Sequence, residues 1–177
     1  MSMYVGGTLH RLISDNLFNM VHDSLDDLGW FGANRKHRPI HLIPESVDDR
    51  ETVELNTVAI SDEDVDDEDI ELGSLLAEYR FTYYIDVYAE SKAFGQHLAG
   101  DIRDLLKGRF GSIGRDSPTL TVWDLTQASP HQELFVAQIE NVMQERGRAF
   151  LKPYQKYWFS VGLDVVYAYE SDLFNYL

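Results

Sequence analysis

The chain has 177 residues, 30 acidic against 15 basic, with a formal net charge of −15, 44% apolar residues, 12% aromatics and no cysteine. That length and apolar content suit a single domain over residues 1–177, with a core large enough to fold without a metal or disulfide staple. The lack of cysteine excludes a disulfide framework, thiolate zinc sites, iron–sulfur clusters and a cysteine nucleophile.

Met1 to Thr8 lack the basic and apolar regions of a signal peptide, and no window approaches 18 uncharged apolar residues. The expectation is a soluble chain made without a leader and without a membrane partner. Thr8 to Trp30 sets Leu9, Leu12, Ile13, Leu17, Met20, Val21, Leu25 and Leu28 at three- and four-residue steps. This spacing predicts an amphipathic helix, with Thr8 as N-cap and Gly29 or Gly32 as its stop. Asn34 to Pro44 reads as a basic loop leading into a short strand over Ile40 to Ile43. The β-branched stretch Thr52 to Ile60 predicts a second strand.

The charge is concentrated next. Residues 45–71 hold thirteen acids against the single base Arg50. An acid-rich loop is expected at about 61–73, carrying Asp62, Glu63, Asp64, Asp66, Asp67, Glu68 and Asp69, extended and solvated by its own repulsion. An acidic field repels phosphate, so sequence-tracking nucleic-acid binding through a basic face is disfavoured.

From Ala77 to Ala89 the alternation is clean, with Tyr79, Phe81, Tyr83, Ile85 and Val87 on one side and Arg80, Thr82, Tyr84, Asp86 and Tyr88 on the other. A long half-buried strand follows from that period. Ser91 is placed to cap a second helix with Phe94, Leu98, Ile102, Leu105 and Leu106 as its stripe and Gly108 as its end. Thr119 to Leu125 predicts a strand with Leu120 and Val122 on one side. Leu134 to Arg146 gives a broken helical stripe, whereas a strand aligns Phe135, Ala137, Ile139, Asn141 and Met143. Tyr157 to Tyr169 alternates throughout. Strands and helices do not alternate regularly, so the expected class is α+β, a mainly antiparallel sheet with two helices packed on one face.

No catalytic, cofactor or metal residue is assigned. Asp62-Glu63-Asp64-Val65-Asp66 resembles the start of a calcium loop, but Asp67 and Gly73 stand where the turn glycine and closing glutamate belong. His37 and His41 have helical zinc spacing with Pro39 between them. Glu90-Ser91-Lys92, with Asp86 or Asp69 upstream, is a three-residue fragment of a magnesium nuclease arrangement, of a kind that chance supplies often. Gly108, Gly111 and Gly114 lack the dinucleotide or P-loop frame. Arg103, Lys107, Arg109 and Arg115 gather near that turn, where they could meet an acidic surface or a phosphate, or where Lys107 and Arg109 simply sit at a helix C-terminus whose dipole favours cations. The aromatics point elsewhere: Tyr84, Tyr88 and Trp158 fall on the side opposite the core stripe, where one helix layer leaves them for a protein interface.

The order of parts is similar to that of the tail terminator proteins of long-tailed bacteriophages. The likeness is carried by the amino-terminal helix, Phe81-Thr82-Tyr83-Tyr84-Ile85-Asp86-Val87-Tyr88-Ala89, the helix from Gly95 to Arg109, Thr121-Val122-Trp123-Asp124-Leu125, Ile139-Glu140-Asn141-Val142 with Glu145-Arg146, and Trp158 to Tyr167. It spans about residues 8–170 in order and texture rather than in a diagnostic motif. The resemblance implies a structural virion protein in a hexameric ring that caps the tail tube and joins it to the neck. Its implied partners are other copies of itself, the major tail tube protein and a neck or head-completion protein. DNA would pass through without specific binding, and assembly would occur in the host cytoplasm. The acid-rich stretch departs from the family pattern and would suit a channel lining that repels DNA. The alternatives are an acidic adaptor for a basic protein partner and, last, a metal-dependent hydrolase.

Overall fold

In a computed structural model, residues 6–31, 40–44, 56–62, 76–108, 118–126, 129–144, 148–149 and 157–170 are described. The first element, α1, spans Gly6–Asp27. Leu9, Ile13, Leu17, Val21 and Leu25, four residues apart, form one buried stripe along it. The helix starts two residues before the expected cap, so Thr8 lies inside its first turn. Its end is as expected. Gly29 adopts φ 79°, its N–H donates to the Asp26 carbonyl (2.8 Å) and the Trp30 N–H donates to the Leu25 carbonyl (2.9 Å). That pair of bonds is the Schellman closure, which needs a left-handed residue where glycine sits.

The strands are β1 (His41–Ile43), β2 (Thr57–Asp62), β3 (Leu76–Ala89), β4 (Thr119–Asp124), β5 (Gln132–Gln144), β6 (Arg148–Ala149) and β7 (Tyr157–Glu170), with α2 (Lys92–Leu106) between β3 and β4. They form one sheet in the order β1-β2-β3-β7-β5-β4, and β6 pairs with the start of β7. The β1–β2 pair is parallel and the others are antiparallel. The predicted α+β class, with both helices on one face of a mainly antiparallel sheet, is what the chain adopts.

The core lies between the helices and the side of the sheet bearing Val58, Ile60, Phe81, Tyr83, Ile85, Val87, Leu120, Val122, Ala137, Ile139, Phe159, Val161, Leu163 and Val165. On α2, Ser91 is the N-cap, accepting from the Phe94 N–H at 3.2 Å, and Gly95, Leu98, Ala99, Ile102 and Leu106 are buried. Gly95 sits so close to the sheet that an added Cβ would fall 2.5 Å from Cε2 of Phe159. Buried Trp30 ties the two helices together, its Nε1 donating to Asp101 at 3.1 Å while its ring stands edge-on to Phe94. Asn16 of α1 fastens the free edge of β4. Its Nδ2 donates to the Trp123 carbonyl (3.0 Å) and its Oδ1 accepts from the Trp123 N–H (2.9 Å). The side-chain amide thus takes the place of a neighbouring strand at that point.

Three expectations need correction. Strand β5 does not keep one face from Phe135 to Met143. Asn141 and Val142 together oppose Leu163, a bulge in which Asn141 takes φ 51°. The extra residue flips the alternation, so Val142 packs on the core and Met143 turns outward. Second, Asp62 is not a loop residue: it is the last residue of β2 and pairs with Tyr83 of the long strand β3. Third, the expected strand is not continuous through Asn56, which takes φ 63° just before β2 begins at Thr57, and residues 51–55 lie outside the described residues. Among the described residues no helix is long and apolar enough to cross a membrane.

Candidate functional site

Among the described residues the second face of the sheet carries no helix, and register determines who meets whom on it. Across β3 and β7 the outward pairs are Thr82–Asp164, Tyr84–Gly162, Asp86–Ser160 and Tyr88–Trp158. Across β2 and β3 they are Thr57–Tyr88, Ala59–Asp86 and Ser61–Tyr84. The sequence-predicted trio Tyr84, Tyr88 and Trp158 is therefore brought together on one face.

The trio is not an open patch. Tyr88 is only 5% exposed within the single chain and Ala59 beside it is fully buried. The rings of Tyr88 and Trp158 lie parallel, 4° apart with centroids at 6.4 Å, and the Trp158 Nε1 donates to Oδ1 of Asp86 at 2.9 Å. Tyr84 and Trp158 are half-buried. Tyr84 lies over Gly162, where a Cβ would sit 3.3 Å from the ring. The idea that one helix layer must leave these aromatics uncovered is thus corrected for Tyr88. Cross-strand stacking and a partly buried indole–carboxylate bond shelter it without a partner chain.

Further across the same face, a polar cross-link joins three strands. Asp164 on β7 accepts from Arg80 Nη1 (3.1 Å) and Thr82 Oγ1 (2.9 Å) of β3, and from Asn141 Nδ2 (2.6 Å) of β5. Arg80 also reaches Glu140 at 3.4 Å. The bulge serves this contact, since the left-handed backbone of Asn141 presents its amide at the sheet's surface; asparagine tolerates that conformation better than most residues. Nothing in the one-dimensional pattern selects Asp164, because its three donors come from positions 23 to 84 residues away.

On β4 and β5 the same face is exposed on either side of that cross-link, at Trp123 and Val136 toward one end and at Met143 toward the other. Trp123 (38% exposed), Val136 (45%) and Met143 (68%) all point away from the helices, and with Leu28 at the end of α1 they are the exposed large apolar side chains among the described residues. Sequence reasoning missed all three. The available signal was Leu134-Phe135-Val136-Ala137, an apolar run that an alternating strand with one wet face does not need.

The basic residues lie elsewhere. Arg103 is on the helix layer, where its guanidinium holds Asp104 (2.9 Å) and reaches Gln144 Oε1 (3.3 Å). Lys107, at the C-cap of α2, is exposed. The structure thus separates Arg103 and Lys107 from the aromatic trio. Arg109 and the acid-rich residues Glu63, Asp64, Asp66, Asp67, Glu68 and Asp69 lie outside the described residues. Of the nuclease-like fragment, Ser91 caps α2, Lys92 is exposed on its first turn and Asp86 holds the Trp158 indole. Among the described residues no group of three or more histidine and acidic side chains is placed to hold a metal ion. No protein-family model matches the chain, and no curated protein sequence matches it.

Proposed function

We propose that the chain is a structural ring subunit of a phage tail, a tail terminator that caps the tail tube and joins it to the neck. The observation that carries this reading is the set of exposed apolar side chains Trp123, Val136 and Met143 on the outward side of β4 and β5. Three large apolar side chains turned to water on one face suit contact with another protein surface. The α+β architecture, with two helices on one face, agrees with what the resemblance implies over residues 8–170. The work of such a subunit is mechanical: it needs a surface for its neighbours and a passage for DNA.

Light scattering against protein concentration tests the reading. The chain should pass from a 20.4 kDa species to one about six times heavier as concentration rises. A monomer at every concentration would favour the adaptor reading, in which the acids of residues 45–71 hold a basic partner.

A further inference from the structure

Strand β4 is the last in the sheet order, and an outer edge of that kind is a template onto which another strand can add. Its composition raises the hazard. Thr119-Leu120-Thr121-Val122-Trp123 is uncharged, rich in β-branched and aromatic residues, and free of proline and glycine. We infer that Asn16 of α1 guards this edge: it occupies the backbone groups that a second copy's β4 would need, and so stops the sheets of two copies from joining.

The ladder identifies those groups. The Pro118 carbonyl accepts from the Ile139 N–H at 3.0 Å, and Leu120 and Val122 follow at alternate positions of the same ladder, so these residues turn their N–H and C=O toward β5. Thr119, Thr121 and Trp123 turn theirs to the outer edge. Asn16 accepts from the Trp123 N–H at 2.9 Å and donates to the Trp123 carbonyl at 3.0 Å, and its Nδ2 also donates to the Leu12 carbonyl at 2.9 Å. The bond to Leu12, one turn back on the same helix, fixes the amide in the orientation that fits Trp123. An incoming strand therefore finds Thr119 and Thr121 but meets α1 where Trp123 should pair, which leaves a row shorter than an ordinary strand.

Asn16 is 3% exposed, on the buried side of α1. Asparagine is a poor helix former, and an amide is costly to bury unless its hydrogen bonds are made. Leucine at this position would favour both the helix and the packing. What leucine lacks is the donor and acceptor that copy a neighbouring strand. The edge needs this guard whether or not the copies close a ring.

Two measurements test it. In the unaltered chain the Trp123 amide should exchange at least about tenfold more slowly than that of Thr121, because one is held by Asn16 and the other faces the open edge. Equal exchange would mean that the clamp is not made in solution, and the guard falls with it. Thioflavin fluorescence and light scattering are then followed for the unaltered chain, N16L and N16L/T121P, each first shown to be folded by its melting transition. N16L should form thioflavin-binding assemblies at concentrations at least about tenfold below any at which the unaltered chain does. Proline at 121 removes an outward N–H without removing a bond to β5, so N16L/T121P should return to the behaviour of the unaltered chain. A folded N16L that behaves as the unaltered chain, or an N16L/T121P that assembles as N16L does, would overturn the assignment. If N16L does not fold, the exchange comparison decides alone. A ring of the unaltered chain should bind no thioflavin, so its mass reports on the ring reading separately.

Discussion

The two halves of the helix-free face are built from the same sheet, yet one is finished and the other is not. On β2, β3 and β7, Thr57, Ala59, Asp86, Tyr88, Ser160 and Val166 are buried within one chain. On β4 and β5, Trp123, Val136 and Met143 are open. The strands of both halves put apolar side chains on the core, so core packing does not separate them. Cross-strand partners do: Tyr88 has the face of Trp158 and Asp86 has its indole N–H, whereas Val136 faces Thr121 and Met143 faces a glycine. A small or absent neighbour leaves a large side chain in water.

Substitutions can sharpen that contrast. Truncating Tyr88 to Ala in the finished half should destabilise the chain most, by about 3–5 kcal/mol, as deletion of a buried aromatic ring does. Denaturant unfolding measures it, and a loss below about 1 kcal/mol would mean that the stack is not part of the folded core. Asp164→Ala at the border between the halves should cost about 1–2 kcal/mol, because Arg80, Thr82 and Asn141 lose a shared acceptor at a partly buried site. The same substitution should speed amide exchange on β5 around the bulge, since Asn141 would lose its tie to β7. Met143→Ser in the open half should change monomer stability by about 0.5 kcal/mol or less. A loss as large as that for Tyr88→Ala would show that Met143 is buried in solution and erase the contrast.

The parts that sequence reasoning reached are those ruled by local periodicity. The four-residue steps of α1, the cap at Ser91, the glycine ends at Gly29 and Gly108, and the faces of β3 and β7 all follow from neighbours a few residues apart. What it missed depends on register. A single extra residue at Asn141 reversed the expected outward and inward sides at the end of β5, and no local pattern announces a bulge whose left-handed residue is asparagine rather than glycine. The same holds for the surface: Tyr84, Tyr88 and Trp158 were rightly placed on the second side, but their shelter comes from pairings between segments about 70 residues apart. The exposed surface therefore shifted from the tyrosine strands to the β4–β5 hairpin. Arg103 illustrates the converse, because its basic character was plain while its engagement by Asp104 and Gln144 required the tertiary placement of α2 against β5.

Oxidative footprinting of the unaltered chain, read side chain by side chain in dilute and concentrated solution, addresses the division of the face most directly. Met143 and Trp123 should react readily when dilute and become several-fold protected as the heavy species forms, with Tyr88 and Trp158 unchanged between the two. Equal labelling of Met143 and Trp123 in the monomer and the assembled species would mean that the open half stays bare, and the subunit contact would have to be sought on another surface.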